Sequence, residues 1–111
     1  MEKNRKVVEK AQTIEMASLA EYQEGSIVSR TIIDRKAGTI TFFAFDEGQG
    51  LSEHVAPYDA LVSIIDGEAQ VEILGRTFHL KEGEMMILPA NKPHALKAIK
   101  KFKMMLTMIK A

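Results

Sequence analysis

The sequence has no cysteine and no tryptophan, only three prolines, and no excess of either charge, with 15 basic against 15 acidic residues. The missing cysteine removes disulfides and thiolate chemistry, although it does not identify a compartment. The balanced charge argues against a nucleic-acid partner, which normally shows as a basic surplus. No apolar run approaches the roughly 20 residues that cross a bilayer. The opening segment "MEKNRKVVEK" lacks the apolar stretch of a secretory signal, so a cytoplasmic protein is expected.

What remains is a chain of 111 residues, 46% of them apolar, enough for about one domain with a single core. Residues 1–10 are densely charged and read as a loose arm or a frayed helix. "SLAE", Ser18 to Glu21, has capping-box spacing, and Gly25 lies where a helix would stop, which predicts one short helical turn. From Ile27 onward the pattern changes to β. "SIVSRTIID" and "TITFFAFD" are rich in β-branched and aromatic residues on either side of the turn "RKAG". "EAQVEIL" alternates, with Ala69, Val71 and Ile73 on one face and Glu68, Gln70 and Glu72 on the other. "RTFHL" follows Gly75 with Phe78 and Leu80 on the apolar parity, which leaves His79 on the surface. "MMIL", "HALKAI" and "FKMMLTMI" complete eight or nine short strands. Pro57, Pro89 and Pro93 all flank strands, as residues without an N–H should. The last strand is apolar on both parities and has to be covered twice, by a second layer or by another subunit. The fold class is therefore all-β, a sandwich or small barrel. Residues 1–26 form an arm with a helical turn, and residues 27–111 form one β domain.

Two stretches carry chemistry. "HVAPYDALVSIIDG" opens on His54, and "GEMMILPANKPHALKA" contains His94. Together they resemble the two conserved motifs of the cupin superfamily, small double-stranded β-helix barrels of jelly-roll type. Against the first motif, G-x5-H-x-H-x3,4-E-x6-G, Gly48, His54 and Gly67 fall in place. Against the second, G-x5-P-x-G-x2-H-x3-N, Gly83, Pro89 and His94 match without a gap. The resemblance covers roughly residues 40 to 109, and the ordered pair of motifs is more specific than either alone. The departures are Ala56 for the second histidine, Ala60 for the glutamate with Asp59 one position early, Asn91 for a glycine, and Ala98 for the asparagine. Asn91 is a mild change, because asparagine is the residue after glycine that best tolerates a positive φ.

Metal-binding members of the family use three histidines and a glutamate, so the resemblance implies a site with half its ligands replaced by alanine. His54, Ala56, Ala60, Val62 and Ile64 share a parity, and so do His94, Leu96 and Ala98, which points both imidazoles toward one interior. Asp59 is the nearest third ligand but has the wrong parity unless a bulge or the turn after Pro57 redirects it. Glu53 also has the wrong parity and faces outward. Three readings follow. In the first, the barrel binds a small molecule in a pocket formed by His54, Ala56, Ala60, Val62, Ile64, His94 and Leu96, with Met85 or Met86 adding to it. In the second, a divalent iron, manganese, nickel or zinc ion held by His54, His94 and Asp59 supports dioxygenase- or isomerase-like chemistry. In the third, the protein is a structural or sensory module that works as a homodimer. The doubly apolar last strand and the resemblance both favour a homodimer, with no nucleic-acid or membrane partner.

Overall fold

The computed structural model of the chain describes residues 8–110. The first seven residues of the expected arm lie outside the described residues. Among those described, no helix is long and apolar enough to cross a membrane. Among the described residues, eight strands follow a 3-10 turn at Met16–Ser18: β1 Ile27–Arg35, β2 Gly38–Phe45, β3 Gly50–His54, β4 Ala60–Ile73, β5 Arg76–Lys81, β6 Met85–Leu88, β7 His94–Lys97 and β8 Phe102–Ile109. All pairings are antiparallel.

β4 organises the molecule. Its first half pairs with β8 and β6, and its second half with β7 and β5. One sheet thus runs β1-β2-β8-β4-β6 and the other β3-β7-β4-β5, two curled layers with the core between them. The strand changes sheets at Asp66–Gly67, where the pairing register with β8 slips after Ile64. Gly67 has φ 77° there. An added Cβ would collide with the Lys101 carbonyl oxygen. Sequence reading ended one stretch on Asp66-Gly67 and began the next at Glu68. The structure runs both through one 14-residue strand, because a left-handed glycine inside a paired strand bends it instead of reversing it.

Between the layers, Phe45, Val62, Ile64, Val71, Phe102 and Met104 are almost fully buried. Phe45 and Phe102 stack with centroids 4.5 Å apart and planes 11° apart. The predicted alternation holds in the second half of β4, where Ala69 and Val71 are buried and Glu72 is exposed.

Part of the outer face of the first sheet is covered by the chain itself. Leu19 and Ala20 are buried against Phe42 and Ala44, with Met105 and Ile65 packed alongside. Arg30 Nη1 donates to the Leu19 carbonyl at 3.2 Å. Lys103 Nζ donates to the Ala17 carbonyl at 2.6 Å and lies 5.0 Å from the Tyr22 ring centroid. The Tyr22 hydroxyl in turn donates to Asp66 at 2.5 Å. Burial, and then the Asp66 carboxylate, push the Tyr22 phenol pKa above its ordinary value. A lysine enclosed in this way needs an acceptor and an aromatic face to offset lost hydration. The second covering layer that β8 demanded is therefore supplied over Lys103 and Met105 by residues of the N-terminal segment. The helical turn sits earlier than predicted. It ends at Ser18, whose hydroxyl donates to the Glu15 carbonyl at 2.7 Å instead of capping toward Glu21.

Candidate functional site

His54 ends β3 and His94 opens β7, and the antiparallel register sets them directly opposite one another. Their rings meet edge to face, with centroids 4.5 Å apart and planes at 73°. Each Nδ1 faces a carbonyl two residues earlier, Ser52 at 3.0 Å and Lys92 at 3.2 Å. A carbonyl oxygen can only accept, so Nδ1 carries the proton in both rings. Nε2 is then the uncommitted nitrogen of each ring. His94 is 4% exposed, whereas His54 is exposed at the barrel end.

Burial lowers the His94 pKa from its ordinary value, the nearby His54 charge lowers it further, and the Lys92 carbonyl opposes both. A histidine depressed in the folded state binds fewer protons than in the unfolded chain. Its effect on stability is absent above about pH 6.5 and becomes a penalty as pH falls through 6.5 toward the lowered folded value. Urea midpoints are therefore expected to drop between pH 7.5 and 5.5. His94→Asn should drop less over the same range, and an unchanged slope in that variant would rule out His94 as the source.

The surrounding loops are tied together. The Asn91 amide donates to the Ala56 carbonyl at 2.7 Å, with Asn91 at φ 64° as the turn requires. The Ala90 amide donates to Asp59 Oδ1 at 2.8 Å. Asp59 is thus engaged in anchoring the Pro89–Ala90 turn. Among the described residues, no three histidine, cysteine, aspartate or glutamate side chains group as metal ligands would. Two imidazoles fall one short of the three protein ligands that catalytic divalent centres use, so the donor set does not fit such a centre.

The other predicted positions separate by depth. Ala60, Val62, Ile64 and Leu96 are packed in the core below the histidines, and Ala56 is half-buried in the loop. Met85 is exposed and Met86 half-buried. Glu53 is exposed, and His79 is exposed beside Glu68 at 3.5 Å.

Two residues near the histidines were not anticipated. Across the second sheet His54, His94, Ile73 and Arg76 form one register row. The Arg76 guanidinium carbon lies 5.1 Å from the Phe78 ring centroid. Leu74, at the tip of the β4–β5 hairpin, has φ 52°. It is 59% exposed, and its amide donates to the Pro93 carbonyl at 3.3 Å. The signal for Arg76 was in "RTFHL", where it shares parity with Phe78 and Leu80.

Residues 41–110 match the model of the Cupin domain family. A conserved protein of unknown function from Streptococcus pyogenes is 33% identical, with 96% of this chain and 93% of that chain covered at TM-score 0.90. A cupin superfamily protein from Desulfitobacterium hafniense is 26% identical, covering 96% and 97% at TM-score 0.89. A Cupin 2 conserved barrel domain protein from Leptotrichia buccalis is 43% identical over 85% of this chain and 46% of its own, at TM-score 0.82. A comparison with curated proteins gives no match.

Proposed function

The chain belongs to the cupin family, and from that premise we propose that it binds a small molecule at the barrel end around His54 and His94, without a catalytic metal. The observation that carries this reading is the imidazole pair itself, 4.5 Å apart with each Nδ1 committed to a carbonyl. Two uncommitted ring nitrogens beside an apolar core are the few convergent polar groups that small-molecule sites use for orientation. Alanines stand at 56 and 60, where the family motif has a histidine and a glutamate, and methyl groups cannot ligate. The metal-dependent alternative needs Asp59 to leave the Ala90 amide and turn toward the histidines.

The test combines metal analysis with a fragment screen read by two-dimensional NMR on the full chain. Protein purified without chelator is expected to carry well under one equivalent of iron, manganese, nickel or zinc. Fragment hits should shift the resonances of His54, His94 and Leu74, and those shifts should vanish in His54→Ala. Stoichiometric metal that is lost in His54→Ala would replace this reading with the metal-dependent one. Fragment hits confined to other surfaces would remove it altogether.

A further inference from the structure

We propose that the site takes a small organic acid bearing a hydroxyl group, with Arg76 anchoring the carboxylate and Leu74 closing over the apolar body. This inference rests on the binding site proposed above and names the class of its ligand.

The placement of Arg76 comes from register. Ala69, Val71 and Ile73 oppose Leu80, Phe78 and Arg76 in turn. Leu80 and Val71 are core residues and Phe78 packs against them, so Arg76 shares that face at its open end, where it is exposed. His94 also opposes Ile73, from the other side. Arg76 and His94 are therefore two strand spacings apart, about 10 Å between backbones. A backbone separation of about 10 Å leaves room for a compact ligand, not a long one.

The chemistry of the row is one-sided. Its four members are two histidines, an isoleucine and an arginine, and none is acidic. The guanidinium stays charged at any working pH and presents a planar fork of donors that matches a carboxylate. The Phe78 ring beneath it limits its swing. At the other end, with the proton on Nδ1 of each ring, Nε2 is an acceptor, which suits a ligand hydroxyl. An organic acid with a hydroxyl at its far end satisfies both ends of the row.

Leu74 supplies the second, independent observation. A two-residue hairpin tip with left-handed geometry at both positions favours asparagine or glycine at the first, and leucine there is sterically costly. Its side chain is exposed, so the core does not reward it. Its amide is bonded to the residue preceding His94, which holds the tip beside the histidine row. Unfavourable geometry retained next to a site, by an apolar residue with little to pack against, fits a contact made when a ligand is present.

Calorimetric titration of the full chain with 4-hydroxybenzoate and its neutral isostere 4-hydroxybenzamide tests the proposal, with NMR shifts of His54 and His94 locating the binding. The acid is expected to bind at least about tenfold more tightly than the amide, and Arg76→Gln should abolish that preference. Leu74→Asn should raise the urea midpoint while weakening the acid, a pairing that a merely structural leucine would not give. Equal binding of acid and amide, or an unchanged preference in Arg76→Gln, overturns the organic-acid assignment and leaves the histidine site standing. If neither compound shifts the two histidines while other fragments do, the assignment fails alone. If no compound of any class reaches them, the binding site fails with it.

Discussion

Replacing Phe102 with alanine is expected to lower the unfolding free energy by about 3–5 kcal/mol, the range for emptying a buried aromatic site. Phe102 is fully buried and stacks on Phe45 at 4.5 Å. It also stands opposite both Phe45 on β2 and Gly67 on β4, so its ring occupies the point where the strand changes sheets. The neighbours are held by sheet pairing on both sides and cannot collapse far into the space. Phe102→Leu keeps most of the volume and should cost under about 1.5 kcal/mol. Urea unfolding of the two variants decides the matter. A loss below about 1 kcal/mol for the alanine variant would mean that the stacked pair is not central to the core.

Gly67→Ala should be nearly as damaging, at about 3 kcal/mol. That lies at the upper end for one residue forced into a disfavoured conformation, because a steric collision is added to the conformational cost. Gly67 combines a φ of 77° with the Lys101 carbonyl in the path of any side chain. The obstacle is backbone at the start of β8, which cannot rotate aside as a side-chain tip could. Gly83 is the matched control, since its φ is 87° but nothing lies within 4 Å of a Cβ built there. Gly83→Ala should therefore lose only the conformational part, about 1–2 kcal/mol. Equal losses at the two positions, measured by the same urea titrations, would show that contact with Lys101 plays no part.

The strands were legible wherever side-chain alternation met one buried face, as in "EAQVEIL" and "RTFHL". The Asn91 turn was legible because a positive φ leaves few residue choices. The approach of His54 to His94 was anticipated, although along a different route. Residues between His54 and Ala60 form a loop and not a continuous strand, so parity alone did not bring the rings together. The β3–β7 pairing did that, and strand partners are not written in local periodicity. The same limit hid the role of Asp59, whose partner Ala90 is 31 positions away. It also hid Arg76, whose place in the histidine row depends on two pairings at once. The continuity of β4 was missed because Asp-Gly is the usual mark of a tight turn, and only the Phe102 pairing shows that the chain continues past it. The cover over β8 was not read from the N-terminal segment, because local pattern does not say which sheet face Leu19, Ala20 and Tyr22 pack against.

That cover sets the limits of the smallest piece able to stand alone. The family match begins at residue 41, yet Leu19 and Ala20 roof Phe42 and Ala44, and Lys103 is satisfied by the carbonyl of Ala17. A fragment cut at residue 41 would lose β1 and its roof together, baring aromatic surface and stranding an ammonium group without its acceptor. The packed unit is larger than the stretch that the family model matches.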